Sequence, residues 1–430
     1  MELKLGVSRE IITPKLGGYF LGYGSKSVSD SVNDDLTVTV FTFSYGEIKS
    51  MLISVCVCLV ANELSDEIRS ACGKVAGVPV SNVILSCTHT HSGPYTENFD
   101  DMIDETYIND IFIPRCVAAA KASIRTMTPV KMGVASIDTR IGINRRQILS
   151  NNEVILGNNS WGPYDPELTV LSFKDDLDRT IANIIHVGAH CTASGINTEV
   201  TRDWAGYMID RLEIETGGAM TAFVNGALGD VAPRMANGQS TGDLKLAMEL
   251  GGFAGAEAVR AYKNIRVYKE EDMSVALGEI RIPNEPLLSR ERVNGMLEEI
   301  KAIPGFETER FLPGRISKLE AILRFHESGE GGEDEFAFDQ VLIRIGPVVF
   351  IPLPFEVSTE ISMRLREYSK YGYTLMLSCS NGSNSYLPTE DQMCRGGYEV
   401  ESFQWARIRR LPDNTDWYIV SQNCELMDNL

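Results

Sequence analysis

The chain has 430 residues, 43% hydrophobic and 23% charged, with a formal net charge of −19 at pH 7. That length admits two or three average domains or one large α/β domain with insertions, and the composition is that of an ordinary soluble globular protein. The acidic balance argues against nucleic acid and anionic membranes, which need a basic surface; Arg145-Arg146 and residues 407–410 are too short and isolated to reverse it.

No window approaches about 18 uninterrupted apolar residues, so no membrane span is expected. The first residues lack a basic and apolar leader pattern, which points to a cytoplasmic protein unless a leader has been removed. The nine cysteines are an odd count with no Cys-x-x-Cys spacing. Cys56 and Cys58 sit in an apolar run as packed thiols, and a reducing compartment fits them.

In chain order, the N-terminus enters a strand directly, and 36–44 and 50–60 read as strands around a turn at Tyr45-Gly46-Glu47. A helix over 62–75, ended by Gly77-Val78-Pro79, precedes an apolar strand from Val83. Residues 104–127 read as one helix with Ile108, Ile111, Ile113, Cys116, Val117 and Ala120 along its apolar stripe. A strand over 130–141 runs into Gly142-Ile143-Asn144-Arg145-Arg146, and 168–173 with 180–187 form a hairpin. Asp203 is read as the N-cap of a helix over 204–215, followed by a strand over 219–224. Helices are expected near 242–262, 289–302 and 310–326, and the acidic Gly-rich stretch 327–335 reads as a solvated loop. Strands at 336–345 and 347–353, a helix at 357–368, a strand at 373–379 and a helix from about Thr415 complete the chain. No repeat and no long linker is evident. The alternation predicts mixed α/β (α+β) architecture, one large domain over 1–430 with mixed sheets flanked by helices.

The densest chemistry lies in Thr88-His89-Thr90-His91-Ser92-Gly93-Pro94, where an apolar strand runs into a turn. Two of the five histidines of the chain fall there and two more, His186 and His190, in one other segment. If the strand persists, His89 and His91 share a face roughly 6–7 Å apart, either as two metal ligands or as a ligand beside a base. His186 and His190 would lie about 13 Å apart on a strand, so one metal cannot take both. His190, at the strand end, is the better ligand and His186 reads as a core residue. A catalytic zinc needs about three protein ligands, and Glu356, after an apolar strand ending in prolines, is the best carboxylate to complete the set. Weaker signals are Gly238-Gln239-Ser240-Thr241-Gly242, which follows no strand as a serine elbow must, the Gly-rich turn 17–24, and Asp34-Asp35.

Taken together, these segments resemble the catalytic domain of the neutral/alkaline (non-lysosomal) ceramidase family. The most specific match is Thr88–Pro94, similar to that family's Thr-His-Thr-His-Ser-Gly-Pro signature. In the same order come Ile11-Ile12-Thr13-Pro14, Ile143-Asn144-Arg145-Arg146, Ala189-His190-Cys191-Thr192 and Gly229-Asp230-Val231-Ala232-Pro233. Pro354-Phe355-Glu356, Ser385-Tyr386-Leu387-Pro388-Thr389 and Gly396-Gly397-Tyr398-Glu399 follow. The resemblance implies one zinc held by His89, His190, Glu356 and Tyr386. It also implies His91 as the acid–base residue, with Arg145 and Tyr398 contacting the scissile group. The implied reaction is metal-assisted hydrolysis of the amide bond of a lipid or small-molecule N-acyl substrate such as ceramide.

Three departures stand out. Ala232 occupies a serine position of the family, which rules out an acyl-serine route there. Phe355 replaces a glycine and Cys191 a proline, both beside expected ligands. The sequence ends without the immunoglobulin-like C-terminal domain of established ceramidases, which weakens the expectation of a long-chain ceramide. Two other readings remain open at this point: a zinc amidase or esterase for a smaller substrate, and a non-catalytic zinc-binding relative. Oligomeric state is not legible.

Overall fold

Tight turns set the first level of organisation. Gly46 (φ +59°) and Gly346 (φ +53°) turn two hairpins, at positions that suit a residue without Cβ. The third hairpin turns on Asp175, whose Oδ1 accepts from the amides of Leu177 and Arg179 at 3.0 and 2.9 Å. In the computed structural model, which describes residues 1–24, 26–97, 102–309, 311–328 and 333–430, each hairpin begins a larger unit.

The same unit occurs three times. An antiparallel strand pairs with the hairpin's first strand, and a helix crosses over from the second strand to a fourth, parallel one; in the first sheet a short fifth strand, Thr128–Pro129, adds beyond the first. In the first sheet these strands are Leu3–Ile11, Thr37–Tyr45, Ile48–Val55 and Val83–Cys87, with Asn62–Ala76 as the crossover helix. In the second they are Lys131–Asp138, Glu167–Lys174, Thr180–Val187 and Met220–Asn225, with Asp203–Glu215 crossing over. In the third they are Met273–Pro283, Glu335–Ile345, Val348–Pro352 and Tyr373–Leu377, with Thr359–Tyr368. A further helix closes each unit: Ile113–Ser123, Leu244–Asn264 and Thr415–Met427. No repeat was evident from the sequence. The repeat is topological, and its connecting segments differ too much in length and composition to align by eye.

Strand alternation gives each sheet two apolar faces. The inner faces share one core, with Leu5, Phe43 and Ile84 from the first sheet, Phe173, Ile184 and Val224 from the second, and Ile343, Phe350 and Leu375 from the third. The outer faces pack on helices, as where Val40, Ile53 and Leu85 meet Ile68, Cys72 and Cys116. Equivalent outer cores lie under the helices of the second and third units. Because each parallel pair points the same way, the C-terminal ends of six strands converge at one end of the shared core. In open α/β sheets that end is where ligands bind.

The expected mixed α/β architecture is therefore present, with some local corrections. The helix expected over 104–127 is broken into Glu105–Tyr107, a wide π turn at Ile108–Phe112, Ile113–Ser123 and a 3₁₀ turn at Ile124–Thr126. Pro114 enters the third segment's first turn, and its missing N–H and ring force the wider spacing before it. The edge strand Met273–Pro283 was not foreseen. Asp203 does not cap a helix from outside: it is the first residue of Asp203–Glu215, at φ +58°. Its carboxylate accepts from Ala193, Ser194 and Trp204 amides at 3.1, 2.8 and 2.7 Å, pinning the loop after His190. Residue 310 of one expected helix and 329–332 of the acidic loop lie outside the described residues. Among the described residues no helix is long and apolar enough to cross a membrane.

Candidate metal centre

Each sheet contributes one residue to a buried cluster at the convergent strand ends. His89 follows Val83–Cys87, His190 follows Thr180–Val187, and Glu356 follows Val348–Pro352. One nitrogen of each histidine and one carboxylate oxygen lie within 4.8 Å of one another. Nε2 of His190 is 3.1 Å, and Nε2 of His89 3.4 Å, from the same Glu356 oxygen. The His89 and His190 loops are tied together by Asn225, whose amide donates to the carbonyls of Thr88 and Ala189 at 3.0 and 2.9 Å and accepts from Ala189 N–H at 3.2 Å.

The expectation that His89 and His91 sit on one strand face does not hold. Pairing as a strand ends at Cys87, and His89 adopts the left-handed region at φ +69°, rare for a residue with a Cβ. The kink turns both rings inward, 4.9 Å apart between centroids and nearly perpendicular, with their Nε2 atoms at 3.2 Å. A buried residue held at positive φ stores strain that the surrounding packing sustains, a pattern that clusters at functional sites.

Protonation follows from the partners. A backbone carbonyl only accepts, so Nδ1 of His89, 2.8 Å from Cys58 O, carries the proton, as does Nδ1 of His190, 2.6 Å from Leu228 O. Both Nε2 atoms therefore face the Glu356 carboxylate, and on His190 that nitrogen is the bare one. Arg145 confirms this for His190: its guanidinium can only donate, and Nη1 lies 3.0 Å from His190 Nε2. Burial, aided by the Arg145 charge, pushes His190 down to about 4. Burial works against the Glu356 charge, but the two histidines hold it well below the usual carboxylate range. Burial opposes a charge on His89, but Cys58, Cys379 and Glu356 raise its pKa well above the histidine norm; the proton this places on Nε2 faces Glu356, where a divalent cation can take its place. Two imidazoles and one carboxylate fit a divalent cation, and zinc takes this donor set. Carbonyl-bound Nδ1 atoms are also the usual outer support of zinc-binding histidines. A competing trio, Cys58, His89 and His91, fits less well, because burial pushes the Cys58 thiol up and keeps it protonated.

The other residues singled out from the sequence lie around this cluster. Tyr386 is the register partner of Glu356 in a short parallel ladder, and burial with the Glu356 charge raises its pKa well above the phenol range. Its ring stacks 6.5 Å from that of His190. Tyr398, at the start of the helix Tyr398–Gln404, packs edge-on at 5.4 Å from Tyr386. The Arg145 guanidinium carbon lies 5.4 and 5.8 Å from the Tyr386 and Tyr398 rings. His91 differs from the other two site histidines, since its Nδ1 is buried without a hydrogen-bond partner. Burial and the neighbouring His89 and His190 depress its pKa well below the histidine norm.

Other sequence signals resolve into structure. His186 is core, with Nε2 2.9 Å from Met376 O. The stretch 238–242 is a partly exposed loop on no strand end. Asp34 pairs with Arg202 at 2.5 Å. Cys191 bonds Thr88 O at 3.2 Å, and Phe355 packs against Phe336 and Phe338 with ring centroids 6.1 Å away in both cases. Two residues near the cluster escaped the sequence reading, Glu399 and Gly22. The signal for Glu399 was its place directly after Tyr398 in Gly-Gly-Tyr-Glu. Gly22 belonged to the Gly-rich turn dismissed above.

Fold and cluster together define a three-sheet mixed α/β protein with a buried His–His–Glu set at its strand ends. That architecture is the neutral ceramidase fold. The neutral ceramidase from Pseudomonas aeruginosa aligns with 100% of this chain and 75% of its own, with a TM-score of 0.75 at 17% identity. A ceramidase complexed with C2 aligns with 100% of this chain and 74% of its own, at TM-score 0.74 and 15% identity. No family model matches the sequence, and no curated protein does.

Proposed function

We propose that the protein is a zinc-dependent hydrolase that cleaves the amide bond of an N-acyl substrate, with the 430 residues acting as one catalytic unit. The observation that carries this reading is the pair of carbonyl-anchored imidazoles presenting their Nε2 atoms to one carboxylate oxygen. His89, His190, Glu356 and Tyr386 would hold the metal. When bound, zinc supplies Lewis acidity toward the carbonyl and acidifies water. The shared fold with neutral ceramidase supports an amide as the bond cleaved.

The remaining roles follow from the surroundings. No carbonyl fixes Nδ1 of His91, which leaves that nitrogen available to take a proton from water and return it to the leaving nitrogen. Arg145 and Tyr398 stand on the same side of the cluster as Tyr386 and would donate to the oxyanion as the carbonyl carbon becomes tetrahedral. The Arg145 charge is secure. Burial disfavours it, but Tyr386, Glu399 and Glu356 raise its pKa further above the normal guanidinium value.

The test is metal analysis followed by hydrolysis assays over N-acyl amides of increasing chain length. Stoichiometric zinc and amide turnover are expected. Absence of zinc, or zinc that survives His190→Ala unchanged, sinks the site assignment. Preference for short acyl groups or esters replaces the lipid substrate with a smaller one.

A further inference from the structure

Arg145 and Arg146 are consecutive, yet both reach one carboxylate. Nε of Arg145 lies 2.8 Å from Glu399 Oε1, and Nη1 of Arg146 lies 2.6 Å from Glu399 Oε2. The Glu399 side chain is 1% exposed. Burial opposes its charge, but the two guanidinium groups outweigh that and hold it below the usual carboxylate range. Arg146 is fixed from its other side by the Gly396 carbonyl at 2.6 Å. Its backbone N–H is fixed too, donating to the Asn144 side chain at 3.0 Å.

The geometry of the Arg145 arm matters most. A carboxylate commonly grips a guanidinium by two nitrogens at once. Here Glu399 accepts from Nε alone, at the rear edge of the group. The two Nη atoms are left to point the other way. Nη1 reaches His190 Nε2 at 3.0 Å, and Nη2 is buried with no hydrogen-bond partner. An orphaned, buried, charged donor costs on the order of 1–3 kcal/mol or more and calls for an explanation. Two cations on one anion also leave a surplus positive charge at the cluster.

Glu399 follows Tyr398 directly, in the first turn of the same helix. The carboxylate that aims Arg145 is therefore covalently tied to the second donor, Tyr398. Arg145 belongs to the second structural unit and Glu399 to the third, so the contact sets the spacing between two donors from different units.

We infer that Glu399 is a positioning residue: it grips Arg145 through Nε so that the Nη edge, beside Tyr398, faces the reacting carbonyl oxygen. This rests on the hydrolase reading above for its catalytic part, while the aiming of Arg145 stands on geometry alone. Arg146 serves as counterweight, sharing the carboxylate and keeping Glu399 ionised.

The experiment compares Glu399→Gln, Glu399→Asp and Arg146→Met in the full-length zinc-loaded protein. Turnover of a short-chain N-acyl amide is normalised to bound zinc. In parallel, the Arg145 Nε–H signal, assigned by its loss in Arg145→Lys, is followed by ¹⁵N NMR. Glu399→Gln should lower kcat about 10- to 100-fold with KM nearly unchanged, the usual scale for losing an outer support. It should also shift and broaden the Nε–H signal, and Glu399→Asp should recover part of both. Arg146→Met should keep the Nε–H signal and most of kcat. An Nε–H signal unmoved by Glu399→Gln overturns the inference, as does an equal kcat loss in Arg146→Met, which would make the clamp merely structural. A wild-type protein without amide turnover overturns the hydrolase reading instead, and the nitrogen signal then decides the aiming of Arg145 by itself.

Discussion

Glu356 and Tyr386 are register partners in a two-stranded parallel ladder, joined by a 3.0 Å hydrogen bond from Glu356 N–H to the Ser385 carbonyl. Paired residues of a ladder project to the same face, so a carboxylate and a phenol thirty residues apart in sequence are delivered together. Ser385, at φ +72°, makes the bend that brings Tyr386 into register.

The first prediction separates ligands from base. Glu356→Gln and His190→Ala remove a charge or a nitrogen from the three-donor cluster, and bound zinc should fall far below one per chain by elemental analysis. His91→Ala should keep its zinc yet lose about 10²–10⁴ in kcat, the usual contribution of a positioned acid–base group. If His91→Ala also empties the site, His91 is a ligand.

Much of this cluster was legible because chemistry-bearing residues are scarce. Five histidines in 430 residues leave few ways to assemble a site, and apolar strands ending in prolines or Gly-rich turns mark where strands stop. Three features were hidden. The left-handed turn at His89 has no propensity signal, since the loops packed around it impose it. The edge strand Met273–Pro283 buries only Met273, Ala276, Ile280 and Ile282 of its eleven residues, too irregular for an alternation test. Glu399 was invisible as a partner of Arg145 because 254 residues separate them and only the packing of the second unit on the third brings them together.

Asn225 offers a test of how the loops are held. It has no solvent exposure and serves three backbone groups of the His89 and His190 loops. Asn225→Ala leaves those groups unsatisfied, so we expect a loss of about 2–4 kcal/mol in stability. Zinc affinity should fall as well, although no ligand is altered. Denaturant midpoints and zinc titration check both, and unchanged zinc affinity would show that the loops hold their geometry without it.

His186 should give the fold a measurable acid sensitivity. Burial lowers its pKa, so the folded state keeps it neutral while the unfolded chain protonates it near 6.5. With the folded value depressed, its contribution is complete above about pH 6.5 and is lost as pH falls from there toward the folded pKa. The slope is about 1.4 kcal/mol per pH unit for one proton. His186→Gln retains a donor for the Met376 carbonyl without a titrating ring, so its urea midpoint should fall less steeply between pH 6.5 and 5. Parallel curves for the two proteins would assign the acid sensitivity elsewhere.

Gly22 tests whether the Gly-rich turn dismissed as a simple loop supports His91. The residue sits at φ +137°, where side chains are strained, and a Cβ added there would lie 2.4 Å from Cγ and 2.5 Å from Nδ1 of His91. The next residue, Tyr23, packs edge-on against the same ring at 4.8 Å. Gly22 and Tyr23 together therefore form one wall of the His91 site. Gly22→Ala must push that wall or the imidazole by roughly an ångström, and a displacement of that size near reacting atoms can cost about 10²-fold in rate. Because His89, His190 and Glu356 are held by other loops, zinc content should stay at the wild-type level while kcat falls. Equal losses of zinc and activity would mean that the turn supports the whole cluster, and unaltered kcat would mean that His91 tolerates the shift and is not the proton carrier.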